Sequence, residues 1–164
     1  MKNVVISDAG PIFSLAVIGQ LNLLDELFDE VFIPQAVWEE ITRLKDSPFY
    51  PSITDFFKDK VRNIEGKNHL TFVMDFGESE AVILYQEMGA TYLLIDDKKA
   101  RKYAENIDVN CIGTIGLLIS AKSKGNIGEL KPLFQQLISN ERYYSLRLLN
   151  AVLLQLGETT LVVE

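Results

Sequence analysis

The chain has 164 residues, of which 48% are hydrophobic and 24% are charged, and its formal net charge is −7. This length and composition predict a single globular domain, residues 1–164, with enough apolar residues to bury a core. No apolar run reaches the roughly 18 residues that a membrane-spanning helix needs, which argues against an integral membrane protein.

Short apolar runs rich in β-branched residues alternate along the chain with helical patterns. The predicted strands are 4–7, 31–33, 61–64, 91–95, 109–112 and 160–163. The predicted helices are 12–18, 21–28, 34–44, 53–60, 78–88, 97–106, 114–123, 130–139 and 144–156. The alternation predicts an α/β fold, a three-layer Rossmann-like parallel sheet flanked by helices.

Two segments depart from this regular alternation. Residues 46–52, DSPFYPS, contain two prolines and form the clearest predicted break. The last helix, within YYSLRLLNAVLLQLG, is apolar over much of its circumference. Such a helix either packs inside the domain or covers a dimer seam, and the sequence leaves both alternatives open.

Soft metal ligands are scarce, because Cys111 is the only cysteine and His69 the only histidine. A structural zinc site usually takes four Cys or His ligands, and a catalytic one usually takes several His, so a zinc site is disfavoured. We expect Cys111 to be a buried core thiol and the protein to be cytoplasmic. His69 is expected in a surface loop, which leaves carboxylates as the plentiful ligands.

Carboxylates follow two of the predicted strands. Asp8 comes directly after VVIS, and Asp96 and Asp97 follow TYLLI. Ligands of parallel sheets bind outside the carboxyl ends of the strands, and clustered carboxylates suit a hard divalent cation. A metal-dependent phosphoryl-transfer or nuclease site is therefore the first hypothesis. The alternative is that Asp8, or one of Asp96 and Asp97, only caps the helix that follows.

Further acids lie on predicted helices. Glu40 adjoins the apolar stripe of Val37, Ile41 and Leu44, whereas Glu39 is expected to face solvent. Glu78 and Glu80, in GESEA, are two residues apart and do not share a helix face. At least one of this second pair is expected to be catalytic, although Glu78 could instead serve only the helix dipole.

Positive charge is concentrated after the double aspartate. Residues 1–97 carry 17 acids and 7 bases, whereas residues 98–164 carry 6 acids and 9 bases. The second half is therefore the expected phosphate-facing surface, with Arg101 as a phosphate clamp or a partner of an acid. Thr114 could bind a metal-bound water at the substrate site or cap its helix. The glycine-rich turns lack the Walker and dinucleotide-binding patterns.

Taken in order, these residues resemble a PIN domain, the fold of many toxin nucleases in prokaryotic toxin–antitoxin pairs. The motifs that carry the resemblance are SDAGP with Asp8, PQAVWEEI with Glu40, DFGESEA with Glu78 and Glu80, LLIDDKKAR with Asp96, Asp97 and Arg101, and GTIGLLISAK with Thr114. They place the chain near the branch of PIN-like proteins that carries GExEA and IDDxxAR. Two positions differ from the commoner pattern, which has Asp in place of Glu78 and Thr two residues before its last Asp.

The resemblance implies Mg²⁺ or Mn²⁺ as cofactor, held by Asp8, Glu40, Glu78, Asp96 and Asp97. It also implies cleavage of single-stranded RNA, an antitoxin protein as partner where the protein is a toxin, and a homodimer. Asp8 and one of Asp96 and Asp97 would be the primary ligands. Glu40 and Glu78 would hold the second position or orient the attacking water, and Arg101 would contact phosphate.

Two readings from other classes remain as alternatives. A PIN-like module can have lost catalysis and bind only RNA or a protein partner. A phosphoacceptor receiver domain is also α/β with clustered acids, but it expects a Lys after a late strand, and none follows VNCI. The receiver domain is therefore the weaker of the two.

Overall fold

The computed structural model describes residues 2–162. Within them, the strands are β1 (Val4–Ser7), β2 (Glu30–Pro34), β3 (Val61–Arg62), β4 (Tyr92–Leu94) and β5 (Cys111–Ile112). They form one parallel sheet in the order β3-β2-β1-β4-β5. The predicted parallel α/β fold is therefore confirmed.

Helices connect and cover these strands. They are α1 (Ala9–Val17), α2 (Leu23–Leu27), α3 (Gln35–Ile41), α4 (Tyr50–Phe57), α5 (Phe76–Met88), α6 (Lys98–Asn106), α7 (Thr114–Ser123), α8 (Lys131–Ser139) and α9 (Leu146–Gln155). Parallel neighbours need such crossovers, because a tight hairpin can join only antiparallel strands. In the described part of the chain, no helix is both long and apolar enough to cross a bilayer.

The central strand β1 is buried on both faces, which gives the fold its three layers. Val5 packs into a cluster that contains Ile12 of α1 and Phe134 of α8. Its neighbour Ile6 packs into a second cluster with Val82 of α5. Because successive side chains of a strand point to opposite faces, a strand buried on both sides is continuously apolar. The run VVI in β1 follows this rule.

Several predicted boundaries were wrong for local reasons. Helix α1 begins at Ala9 rather than at residue 12, because Pro11 is tolerated in a first turn. Helix α4 begins at Tyr50, inside the predicted break, with Pro51 in its first turn. Helix α3 ends at Ile41, so Leu44, predicted to lie in the buried stripe, is 65% exposed.

The predicted strand at 160–163 is also absent as far as Val162, and Val163 lies outside the described residues. Instead, the backbone N–H of Leu161 donates to Oδ1 of Asn150 at 2.7 Å. A side chain of α9 therefore holds this segment in place of a sheet partner. Helix α9 itself packs inside the domain, since Leu149 and Leu153 are fully buried in the main core.

Cys111 is half-buried, which corrects the prediction of a buried core thiol. It lies in the two-residue edge strand β5, where one side of the strand has no neighbour. Burial nevertheless raises the pKa of the thiol to about 11, so it is an unreactive group at neutral pH. His69 is exposed in a loop, as predicted.

Candidate active site

The order in which the chain adds strands to the sheet reverses between β1 and β4, and an acid follows each of these two strands. Asp8 follows β1, and Asp96 follows the Ile95 that extends β4. The two strands are hydrogen-bonded neighbours, and the backbone N–H of Asp8 donates to the carbonyl oxygen of Leu94 at 2.9 Å. Ligands of open parallel sheets bind in the crevice at such a switch point. Asp8 and Asp96 therefore border the expected binding crevice.

Asp8 is a buried carboxyl group among other acids. It is 8% exposed and occupies the N-cap position of α1, but its side chain makes no capping hydrogen bond. Burial raises its pKa to about 8; the negative charges of Glu78, Asp75 and Glu40 contribute to this increase, and the backbone of Ala9 opposes it. These four carboxylates are thus close enough to influence one another's protonation.

Glu78 and Asp75 form a capping box at the start of α5. Oδ1 of Asp75 accepts the backbone N–H of Glu78 at 2.8 Å, and Oε1 of Glu78 accepts the backbone N–H of Asp75 at 3.2 Å. Burial raises the pKa of Glu78 to about 7, with contributions from the charges of Asp75 and Asp97. The helix-terminus role foreseen as an alternative for Glu78 is present, and the same carboxylate lies in the field of the cluster.

Glu40 reaches the cluster from α3, next to a glycine of α5. A Cβ atom placed on Gly77 would lie 3.1 Å from Oε1 of Glu40 and 3.7 Å from Oδ1 of Asp8. The missing side chain of Gly77 therefore lets both carboxylates approach the same space. Burial and the charge of Asp75 raise the pKa of Glu40, and the positive charge of Arg43 opposes this.

The remaining helix acids have different surroundings. Glu39 is exposed, as predicted. Glu80 is 8% exposed, and its Oε1 accepts the backbone N–H of Ala36 at 3.0 Å. This bond attaches α5 to the start of α3, so Glu80 has a structural partner. Its catalytic role stays a prediction.

The two adjacent aspartates are used in different ways. Oδ1 of Asp97 accepts the backbone N–H of Ala100 at 2.8 Å, which caps α6, and the residue is exposed. Oδ1 of Asp96 accepts the backbone N–H of Thr114 at 2.8 Å, and its Oδ2 accepts the Thr114 hydroxyl at 2.7 Å. One member of the pair caps a helix, as foreseen, and the structure identifies it as Asp97.

Thr114 is fully buried and follows Gly113, which is the N-cap residue of α7, so of the two alternatives for Thr114 the structure does not show the helix cap. Because its hydroxyl donates to Asp96, only the acceptor sites of its oxygen are left for a further partner such as a metal-bound water. Arg101 lies on the same side of the sheet. Its Nη1 would be 3.0 Å from a Cβ atom on Gly113, while its Nε donates to Oε1 of Glu105 at 2.8 Å.

Several residues around these acids were missed by the sequence reasoning. Asp75 could have been found, because Asp followed three residues later by Glu is the spacing of a capping box. Arg142 and Tyr144 could not, since their contacts to Ser14 are 128 and 130 residues away in sequence. The Tyr144 hydroxyl also donates to Oδ2 of Asp96 at 2.7 Å.

The donor set of this site fits a hard divalent cation in its chemistry. Its ligands are carboxylate oxygens, and the raised pKa values of Asp8 and Glu78 reflect burial and a repulsion that a cation would relieve. Among residues 2–162, no three Asp, Glu, His or Cys side chains are already placed to hold one ion.

Comparisons with known proteins bear on this arrangement. A family model described as DUF3368, a PIN domain, matches residues 4–158. Among solved structures, the chain is similar to a PilT N-terminus domain protein, SSO1118, from the hyperthermophilic archaeon Sulfolobus solfataricus P2. The two chains are 20% identical with a TM-score of 0.53, and the alignment covers 72% of this chain and 92% of the other. This likeness concerns the fold. No curated protein matches the chain.

Proposed function

The chain belongs to the PIN domain family DUF3368, and on that premise we propose that it is a divalent-metal-dependent ribonuclease that cleaves single-stranded RNA. PIN domains are in general nucleases that use divalent metal ions. The observation that carries the proposal is the approach of Asp8, at the carboxyl end of the central strand, and Glu40 to the same space beside Gly77, with Glu78 and Asp75 close enough to raise the pKa of Asp8. A buried carboxyl group surrounded by like charges costs stability, which is understandable where it serves a site.

We assign the cation to Asp8, Glu40, Glu78, Asp96 and Asp97. When bound, Mg²⁺ or Mn²⁺ would supply charge neutralisation at the phosphate and a more acidic water. Glu40 and Glu78, on helices that flank Asp8, would hold the second position or orient the attacking water. Asp8 contributes its full negative charge only when deprotonated, because burial holds its pKa near 8.

The phosphate side of the proposal rests on α6. This helix begins directly after Asp97, and its residues Lys98, Lys99 and Lys102 are exposed. Arg101 is partly exposed on the same helix. Basic side chains bind the phosphate backbone independently of sequence, so this helix offers a path for RNA beside the acids.

The test is incubation of end-labelled single-stranded RNA with the protein in Mg²⁺, in Mn²⁺ and in excess chelator. We expect cleavage with at least one ion and none in chelator. Asp8→Asn should fold and lose cleavage by about 100-fold or more, as for removal of a central charge-stabilising group. Asp59→Asn, at an exposed position, is the matched control and should cleave normally. An active, metal-dependent Asp8→Asn protein would refute the assignment.

A second candidate is a module that binds RNA or a protein partner without cleaving. It is favoured by the fact that, in the described chain, no three acids are already placed around one ion, and by the hydrogen bonds that engage Glu78 and Asp96. RNA retained by the protein in a gel-shift assay, with no cleavage in either ion, would support this alternative.

We also propose a homodimer and, for a protein that acts as a toxin, an antitoxin partner. Leu148 and Leu154 on α9 are 47% and 65% exposed. Apolar side chains at this density on one helix suit a protein interface. Sedimentation of wild type and of a Leu148→Glu, Leu154→Glu variant tests the dimer, since only the variant should be a monomer.

Growth arrest on expression, relieved by a neighbouring gene for a small DNA-binding protein, tests the toxin role.

A further inference from the structure

A chain of side-chain hydrogen bonds runs from the segment between α8 and α9 to Asp96. Nε of Arg142 donates to Oγ of Ser14 at 3.1 Å, and Oγ of Ser14 lies 2.7 Å from the hydroxyl oxygen of Tyr144. The Tyr144 hydroxyl lies 2.7 Å from Oδ2 of Asp96. Ser14 is fully buried and Asp96 half-buried, so these bonds are largely shielded from water.

The donors of this chain point in one direction. An ionised carboxylate only accepts, so the single phenolic proton of Tyr144 goes to Asp96. The oxygen of Tyr144 is then the acceptor for the Ser14 hydroxyl, and Ser14 in turn accepts from the guanidinium of Arg142. Arg142 is itself fixed, because its Nη2 donates to the carbonyl oxygen of Gly10 at 2.9 Å. A chain that starts at a cation and ends at an anion polarises each of its bonds.

A count of lone pairs shows what this leaves free on Asp96. Each carboxylate oxygen has about two acceptor sites. Oδ2 accepts from the hydroxyls of Thr114 and Tyr144, so both of its sites are used. Oδ1 accepts only the backbone N–H of Thr114 among the described residues, so one site remains. A Cβ atom on Gly113 would lie 3.2 Å from Oδ1 and 3.0 Å from Nη1 of Arg101, so the missing side chain leaves a space that both the carboxylate and the guanidinium border.

We propose that Tyr144 is a positioning residue for Asp96, which it fixes so that the carboxylate binds a divalent cation through the single free site on Oδ1. This inference rests on the proposed metal site. Without the Tyr144 hydroxyl, Oδ2 regains an open site and the carboxylate is free to turn. The cation then loses a ligand oxygen that was oriented before binding. Partners that orient a metal ligand are worth about 10- to 100-fold in metal affinity or activity.

The test measures Mn²⁺ affinity directly, by electron paramagnetic resonance of the free ion, in wild type, Tyr144→Phe and Tyr143→Phe. The Phe variant keeps the ring of Tyr144 and removes only its hydroxyl. Tyr143 is adjacent in sequence and 75% exposed, which makes Tyr143→Phe the matched control. We expect Tyr144→Phe to bind Mn²⁺ about 10-fold more weakly, or more, and the control to bind like wild type. Ser14→Ala, which removes the donor to Tyr144, should give a smaller loss in the same direction.

Circular dichroism at the assay temperature identifies the variants that are folded. If Tyr144 had only a structural role, a folded Tyr144→Phe variant would have the Mn²⁺ dissociation constant of wild type. If RNA cleavage is present, kcat should fall in Tyr144→Phe while KM for RNA stays constant. Equal Mn²⁺ affinity in the Tyr144 and Tyr143 variants overturns the inference, as does tighter binding in Tyr144→Phe, which would make Tyr144 a competitor of the ion. Failure of the wild type to bind Mn²⁺ overturns it too. Normal Mn²⁺ binding without cleavage would instead refute the ribonuclease and leave the inference standing.

Discussion

Substitution of Asp8 by Asn should make the protein more stable while it removes activity. In the folded protein the pKa of Asp8 is about 8, against the ordinary value of 3.8 for an aspartate. The folded state therefore holds a proton that the unfolded chain releases, so wild-type stability decreases as the pH rises from about 4 to about 8. The amide of Asn does not ionise, so the free energy of unfolding of the variant should not decrease over this pH range on account of residue 8.

The size of the effect follows from the pKa difference. One unit of pKa corresponds to about 1.4 kcal/mol, so the wild type loses about 4 kcal/mol between pH 4 and pH 7 and about 6 kcal/mol by pH 9. The Asn amide is buried in turn, which costs about 1–2 kcal/mol where its hydrogen bonds are incomplete. The expected net gain of Asp8→Asn is therefore about 2–3 kcal/mol at pH 7, and near pH 4 it becomes a net loss of about 1–2 kcal/mol, because only the cost of the buried amide remains.

The assay is urea unfolding at pH 4.5, 7 and 8.5 in chelator, followed by circular dichroism and by the fluorescence of Trp38, the single tryptophan of the chain. The free energy of unfolding of Asp8→Asn minus that of wild type should be near zero or negative at pH 4.5 and should become increasingly positive at pH 7 and pH 8.5. Asp59→Asn, which changes an exposed carboxylate, should show no such growth. A difference between Asp8→Asn and wild type that is the same at all three pH values would refute the desolvation argument.

Three further substitutions test the surroundings of the site. Gly77→Ala adds a Cβ atom 3.1 Å from Oε1 of Glu40, so it should displace that carboxylate and reduce cleavage while thermal stability stays within about 1 kcal/mol of wild type. Glu80→Gln retains an oxygen that can accept from Ala36, so unfolding should be nearly unchanged, and a loss of cleavage would then establish a catalytic role. Glu158→Ala should lower the free energy of unfolding by about 3 kcal/mol in urea titrations, because Glu158 accepts the first backbone N–H groups of α8 and pairs with a lysine. A stable Glu158→Ala protein would contradict this view of α8.

The fold was largely predictable because its strands are marked by local composition. The runs before Asp8 and Asp96 are short, apolar on successive residues and rich in branched side chains, which is typical of a strand covered on both faces. Boundaries were harder wherever two local signals compete. Pro51 looks like a break and yet starts α4, and Leu44 continues an apolar spacing that the helix itself does not reach. The spacing of apolar residues alone does not reveal which of two such signals determines where a helix begins or ends.

The site was predictable as a group of acids but not in the role of each acid. Asp96 and Asp97 are adjacent in sequence, and their difference depends on where α6 begins, since the residue before its first turn is the one that caps it. The orientation of the Asp96 carboxylate further depends on its hydrogen bonds with Thr114 and Tyr144, which are 18 and 48 residues away in sequence. No local pattern encodes contacts at that separation, so only the folded chain reveals them.

The same protonation argument makes cation affinity depend on pH. Asp8 and Glu78 have pKa values of about 8 and 7, and both must lose their protons before their oxygens can bind a cation with full charge. Mn²⁺ affinity should therefore rise with pH from 6 to 8.5, by up to about tenfold per unit for each proton released. Calorimetric titrations in buffers of different ionisation enthalpy count those protons. Asp8→Asn should release fewer of them and show a flatter pH dependence. A wild-type affinity that is constant from pH 6 to 8.5 would mean that Asp8 and Glu78 do not bind the ion, and the cation would then have to be assigned to Asp96 and its neighbours.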